Sequence, residues 1–171
     1  MPPKSNFSDI KFWGIIFIFL LTVHLNTAIF YGRLNLDYII FGARLPHILV
    51  ILGASFIALF TPIFYVLKRR NPKQYENLLK LHMFGNSTSF MFISMHLVIR
   101  SIIFPMGIGL LLFFFTLLLV LSGFTFRFNV LKPFKIINEG IPHYNRSLHI
   151  SLTISFYIVL LFHLLNVTDF Q

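Results

Sequence analysis

The fold of this chain is decided by two segments, LHMFGNSTSFMFISMH (residues 81–96) and LHISLTISFYIVLLFH (residues 148–163). Each lies in a long apolar stretch and contains two histidines that are 14 residues apart, His82 with His96 and His149 with His163. Fourteen residues of α-helix rise about 21 Å and complete almost four turns. The two histidines of each pair therefore lie on nearly the same helix face, towards opposite ends of the helix.

The composition is that of an integral membrane protein. Of the 171 residues, 57% are hydrophobic and only 11% are charged. A soluble domain averages about 45–50% apolar and about 25% charged residues. A chain of this length has room for about five helices of roughly 20 residues, the length that crosses the apolar core of a bilayer.

We predict an all-α fold, an integral membrane bundle of five transmembrane helices in a single membrane domain (residues 1–171). The first apolar run is longer than the core of a signal peptide, so we interpret it as an uncleaved helix. The predicted spans cover residues 11–31, 46–67, 79–104, 107–126 and 142–167.

The basic residues predict the orientation, because Lys and Arg concentrate in loops on the inner side of a membrane. Of the 14 Lys and Arg residues, 11 lie at the ends of the spans on the side of the N-terminus and 3 on the opposite side. The N-terminus is therefore predicted inside and the C-terminus outside, in a cell membrane or an organelle inner membrane. Spans three and five then run parallel, so His82 and His149 share the inner level, and His96 and His163 the outer level.

Paired histidines at two levels of a membrane predict two haems. A polar side chain inside a bilayer is costly and tends to be functional. Two parallel helices can hold two stacked haems, each iron bound by one imidazole from each helix. The chain has no cysteine, which excludes iron–sulfur clusters, disulfides and thioether-attached haem. The predicted cofactors are therefore two non-covalently held b haems.

Other uses of the histidines fit less well. Zinc needs ligands at about 2 Å, and helical zinc pairs are three or four residues apart. A proton relay usually includes buried carboxylates, whereas the five acidic residues lie in predicted loops or termini. Four unrelated structural histidines are the remaining alternative. The net charge of +9 lies in loops, which favours membrane lipid over nucleic acid as a partner.

The two His-x13-His pairs resemble the haem ligands of dihaem b-type cytochromes. In cytochrome b of the quinol-oxidising bc-type complexes, the second and fourth helices of a four-helix bundle carry such pairs. In the ferric-reductase and NADPH-oxidase-like membrane domain, the third and fifth helices carry them. The resemblance covers residues 46–168 and implies a dihaem four-helix core with His82, His149, His96 and His163 as iron ligands. The Pro-Glu-Trp-Tyr motif of the bc-type quinol site does not occur in this chain.

Three further residues are candidates for haem contacts. Arg100 follows His96 by four residues and shares its face, where it could pair with propionates or extend to the membrane surface. Arg146, three residues before His149, has the same two interpretations. Gly85 lies three residues after His82 and would allow close approach of a porphyrin or of another helix.

A quinone is a further expected ligand, since quinone pockets often place a histidine or a carboxylate near a haem edge. The candidate on the outer side is His47 with Asp37. The candidate on the inner side is His143 with Tyr144 and Glu139.

These features together predict transmembrane electron transfer by a cytochrome b subunit of a respiratory or other membrane oxidoreductase complex. The protein would supply ligation and a low-dielectric shell, while substrate chemistry would belong to partner subunits. A stand-alone quinone- or metal-reductase cytochrome is an alternative. A haem-free membrane scaffold or transporter subunit is the alternative outside redox chemistry.

Overall fold

The structure, a computed structural model, describes residues 10–103, 107–128 and 141–168. It is mostly helical, and helices lie at the positions of all five predicted spans. One short β-hairpin at residues 39–44 departs from the predicted all-α fold. In chain order the elements are α1 (Ile10–Phe30), β1 (Ile39–Ile40), β2 (Ala43–Arg44), α2 (Leu45–Ser55), α3 (Thr61–Arg70), α4 (Tyr75–Ile103), α5 (Ile108–Phe128) and α6 (Ile141–Thr168).

A π-helical turn, Phe56–Phe60, joins α2 and α3 into one continuous rod. Pro62 explains this turn, because proline has no N–H to donate and its ring collides with the carbonyl four residues earlier. The wider turn accommodates such a local mismatch without ending the helix. The rod ends in three consecutive basic residues, 68–70, which interact favourably with the negative end of the helix dipole.

Four helical stretches are long and apolar enough to cross a membrane: Ile10–Phe30, Leu45–Arg70, Ile108–Thr125 and Arg146–Leu165. Most of each stretch is unburied within the chain, so its apolar side chains face outwards. Helix α4 has 29 residues but is not one of the four. Helix α4 differs from these four stretches in having polar residues in its middle. Four of these are buried: Asn86, Ser87, Ser89 and Ser94.

The chain divides into two compact units. The N-terminal unit is Gly14–Met106, and the C-terminal unit is Gly107–Gln171 together with Met1–Trp13.

In the N-terminal unit, α4 packs along the α2–α3 rod. The closest approach is at Gly53 of α2, where an added Cβ would lie 2.9 Å from the carbonyl oxygen of Ser89. Two buried serines of α4 donate their hydroxyl protons to carbonyls of their own helix, Ser87 to Met83 at 2.9 Å and Ser94 to Met91 at 2.8 Å. Ser94 also accepts a hydrogen bond from the side-chain amide of Asn26 on α1 at 3.0 Å.

In the C-terminal unit, α5 and α6 pack along each other. Thr116 of α5 and Phe156 of α6 are fully buried there. The Thr116 hydroxyl donates to the carbonyl of Leu112 at 2.8 Å, which satisfies it inside the apolar core. The Phe12 ring packs against the rings of Phe124 and Phe128, with both centroid distances at 5.3 Å.

Gly85 of α4 lies against the aromatic ring of Phe56, the first residue of the π-helical turn. An added Cβ at Gly85 would collide with the ζ and ε carbons of that ring. The absence of a side chain at Gly85 thus lets the π-helical turn pack directly on α4. The contact gives Gly85 a helix-packing role, and its contact with haem stays a prediction.

Replacing Gly85 with leucine should lower the free energy of unfolding by about 1–3 kcal/mol, the usual cost of overpacking. The reason is that the Phe56 ring occupies the space that the new side chain needs. Equilibrium unfolding of the purified protein in detergent measures this loss. Gly107→Leu is the matched control, because no atom lies within 4 Å of a Cβ added there. Equal stability of the two variants would contradict the packing role.

Candidate functional site

His82 is half-buried in the N-terminal unit and lies flat against an aromatic ring. The Phe64 ring of α3 stacks on it with a centroid distance of 4.4 Å and an interplanar angle of 11°. The side-chain amide of Asn86, one turn along α4, lies 3.4 Å from Nε2 and 3.5 Å from Nδ1 of His82. The stacked ring and the amide together restrict the orientation of this imidazole.

His96 lies towards the other end of α4 from His82, beside a histidine of α2. Its ring centroid is 5.2 Å from that of His47 in the first turn of α2, with an interplanar angle of 56°. Both imidazoles line a cavity of about 310 Å³. Asp37 and Arg44 line it as well, and their side chains form an ion pair at 3.7 Å. The structure therefore brings together His47 and Asp37, the predicted outer quinone candidates, and adds His96 to them.

The two histidines of α4 face the same neighbour. His82 contacts α3 and His96 contacts α2, and these two helices form one continuous rod. This agrees with the same-face placement that the spacing of 14 residues predicts.

In the C-terminal unit, His149 of α6 is held by Ser122 of α5. The Ser122 Oγ lies 2.8 Å from Nδ1 of His149 and donates its own proton to the carbonyl of Leu119 at 2.9 Å. Because a hydroxyl has only one proton, this arrangement leaves Ser122 to accept a hydrogen bond from Nδ1–H of His149, which corresponds to the Nδ1–H tautomer of the ring. This tautomer carries the lone pair of His149 on Nε2, the form in which an imidazole can ligate a metal through that atom.

Glycines of α5 lie against both histidines of α6. A Cβ added at Gly123 would lie 3.2 Å from Cε1 of His149, and one added at Gly109 would lie 3.8 Å from Cε1 of His163. The two glycines are 14 residues apart, as the two histidines are. Because α5 and α6 run antiparallel, this equal spacing places one glycine beside each imidazole. Gly109 was missed in the sequence analysis, and the Gly-x13-Gly spacing was the signal that could have found it.

The structure places the four candidate ligands in pairs. His82 and His96 belong to the N-terminal unit, and His149 and His163 belong to the C-terminal unit. Among the residues that the structure describes, no group of three or more His, Cys, Asp or Glu side chains could hold a metal ion. A haem iron with two axial histidines needs only two protein ligands, so the proposed sites would not form such a group.

The part of the chain that the structure describes gives no contact with a candidate site for the other predicted residues. Arg146 is exposed on α6, one turn before His149. The side chains of Arg100, His143 and Tyr144 lie outside the described part of the structure, as does the whole of Glu139. Their proposed contacts with propionates or quinone therefore stay predictions.

Comparison with known proteins finds no family model, no curated protein and no solved structure that matches this chain. The interpretation of the site therefore depends on its own geometry and chemistry.

Replacing Ser122 with alanine should release His149 from its Nδ1–H tautomer, because the hydroxyl that accepts this proton is lost. The measurement is the pair of imidazole ¹⁵N chemical shifts of His149 in selectively labelled protein. Ser151→Ala is the control, since Ser151 is an exposed serine on the same helix. An unchanged tautomer in Ser122→Ala would show that another contact fixes the ring.

Proposed function

We propose that this protein is a five-span membrane bundle that holds two bis-histidine b haems and transfers electrons across the membrane. One observation supports this above all others. Each of two helices, α4 and α6, carries two histidines 14 residues apart, and both histidines of a helix face the same neighbour within their unit. Unrelated structural histidines would not be expected to repeat both the spacing and the common face.

The side chains around the histidines suit haem ligation. The hydrogen bond between His149 and Ser122 leaves the Nε2 lone pair available for a ligand, as the outer-shell partners of metal-binding histidines do. Gly109 and Gly123 have no side chains, so both imidazoles of α6 can lie close to α5. The stacked Phe64 ring provides an apolar wall beside His82. Haem, when bound, supplies one-electron chemistry at iron, and the protein sets its ligation and surroundings.

The burial pattern of α4 supports a membrane span that packs against other helices. Its polar side chains are buried, whereas the four more apolar stretches expose many large hydrophobic side chains. Packing against an apolar helix keeps these serines and the asparagine away from lipid, where their exposure would cost free energy. In the proposed orientation the N-terminus is inside and the C-terminus outside, so His82 and His149 lie at the inner level.

The proposed role is that of a cytochrome b subunit in a respiratory or other membrane oxidoreductase complex. Almost all of the described residues are in helices, so the described chain has little room for a separate substrate-binding domain. Substrate oxidation and reduction are accordingly assigned to partner subunits.

The purified protein should contain two b haems per chain. The measurement is a reduced-minus-oxidised spectrum with a pyridine haemochrome count. His82→Ala and His149→Ala should each remove one haem, and the double variant should remove no more than that one, because both histidines ligate the same iron. Combining His82→Ala with His96→Ala should remove both haems, because these histidines belong to different irons.

His24→Ala is the matched control, since His24 lies in an apolar span and is exposed. It should retain both haems. Haem-free protein that is well folded and tolerates all four histidine substitutions would instead favour a membrane scaffold or transporter subunit. Loss of both haems from every single variant would contradict the proposed pairing.

The cavity beside His96 supports a second, more specific candidate function, in which a quinone ring binds there and the chain acts as a quinone reductase or quinol oxidase. Its apolar walls suit an aromatic ring, and His47 can hydrogen bond to a ring oxygen. The ion-paired Asp37 offers a second polar group at the same cavity. This favours the outer of the two predicted quinone candidates.

Replacing His47 with alanine should slow reduction of the haem absorbance by a short-chain quinol at least about tenfold, the effect of about 1.4 kcal/mol of lost hydrogen bonding. Reduction by dithionite should be unchanged, since dithionite does not need the cavity. His24→Ala serves again as the control. A rate that is insensitive to His47 would exclude this cavity as the quinone site.

A further inference from the structure

An apolar hairpin connects α1 to α2. Its strands pair antiparallel, with Ile39 opposite Arg44 and Ile40 opposite Ala43. The two loop residues, Phe41 and Gly42, have φ values of 51° and 79°. Two consecutive positive φ values define a type I′ turn, the two-residue connection that best matches the twist of a hairpin. The hairpin is therefore a regular element, although it is only four paired residues long.

The base of the hairpin is fixed to the helices on both sides. The backbone N–H of Leu45, the first residue of α2, donates to the carbonyl of Tyr38 at 2.8 Å. At the end of α1, Gly32 has φ +68° and the N–H of Arg33 donates to the carbonyl of Ala28 at 2.8 Å. These are the features of a Schellman cap, which ends the helix in one defined direction.

The tip of the hairpin exposes large apolar side chains. The exposed fraction is 101% for Phe41, 74% for Ile39, 60% for Tyr38 and 39% for Ile40. None of these four side chains is buried against the rest of the described chain. Burying a side chain of this size is worth about 1.5–3 kcal/mol, so this surface favours an apolar environment outside the chain.

The backbone conformation of Phe41 also indicates a partner outside the described chain. A positive φ costs a residue with a Cβ about 1–2 kcal/mol, and Asn, Asp or Gly is usual at the first loop position of a type I′ turn. Phe41 therefore bears backbone strain while its ring contributes nothing to the core. Strain retained at such a position indicates that the side chain is used in an interaction with something else.

The position of the hairpin indicates that this partner is the lipid headgroup layer. Helix α1 and the α2–α3 rod are both candidate membrane spans, and the hairpin lies in the link between the end of one and the beginning of the other. Such a link lies at the boundary between lipid and water. Aromatic and apolar side chains beside arginines suit this boundary, where the rings enter the headgroup layer and the guanidinium groups contact phosphates. Arg33 precedes the hairpin, and Arg44 lies within it.

We propose that the tip of this hairpin, residues 38–41, inserts into the lipid headgroup layer and anchors the link between the first two spans. The inference rests on the proposed membrane bundle. The three residue steps from Tyr38 to Phe41, at about 3.4 Å each, give the tip a reach of about 10 Å, comparable with the roughly 5–10 Å depth of interfacial segments. Leu36, Asp37 and Arg44 belong to the same link and line the cavity beside His96, so the anchor also holds one wall of that cavity.

A tryptophan placed at the tip reports its depth. The chain has a single tryptophan, Trp13, so Trp13→Phe gives a background without one. In this background Phe41→Trp is reconstituted into vesicles of phosphatidylcholine and phosphatidylglycerol, with lipids brominated either near the headgroup or near the end of the acyl chain. The expected result is blue-shifted emission that loses most of its intensity with shallow bromines and little with deep ones.

Two reference variants in the same background distinguish a failure of the anchor proposal from a failure of the membrane-bundle proposal. Leu20→Trp, at an exposed position in the middle of α1, should be quenched most by deep bromines if α1 spans the bilayer. Gln74→Trp, in the exposed polar turn before α4, should be quenched least. Failure of Leu20→Trp to be quenched would overturn the membrane bundle and the anchor with it.

Deep quenching of Leu20→Trp together with unquenched Phe41→Trp would overturn the anchor alone. In that case, red-shifted emission would mean that the tip projects into water. Blue-shifted emission without quenching would mean that protein, either a second copy or a partner subunit, covers the tip.

Discussion

An imidazole surrounded by apolar helices needs partners, and this requirement organises the described structure. A polar group buried without compensation costs several kcal/mol in an apolar medium, so a neighbour that orients or hydrogen bonds to a buried histidine stabilises the packing. Because the histidines on each helix share one face, a single neighbouring helical element can serve both. The result is two antiparallel helix packings, α4 against the α2–α3 rod and α5 against α6.

Different groups contact the histidines in the two helix packings. In the N-terminal unit, aromatic and imidazole rings lie against His82 and His96, and the amide of Asn86 approaches His82. In the C-terminal unit, a serine hydroxyl accepts the Nδ1–H of His149, and a glycine lets the ring lie close to α5. A hydroxyl fixes a tautomer, whereas a stacked ring fixes only an orientation. The proposed ligands of one haem would therefore be held by unequal means, one by packing and one by a hydrogen bond.

Small residues make these close packings possible. Gly53 allows α2 to approach the backbone of α4 at Ser89, and Gly85 receives the ring of Phe56. Helices in an apolar solvent gain little from hydrophobic burial, so they associate mainly through close van der Waals contact and hydrogen bonds. The π-helical turn belongs to the same arrangement, since it begins with the residue whose ring meets Gly85. Local backbone irregularity and helix packing are thus coupled in this rod.

The positions of the helices follow from the apolar runs, and the common face of each histidine pair follows from a spacing of 14 residues on a helix. The sequence by itself did not determine which neighbours the histidines contact. The pairing of Ser122 with His149, of Phe64 with His82 and of Gly109 with His163 depends on the register between helices far apart in the chain. That register is decided by side-chain fit at the close contacts, a tertiary property that no local pattern encodes. The type I′ hairpin was missed for a related reason, since Phe41 is not a residue that such a turn favours, and only the pairing of the strands on either side sets its backbone.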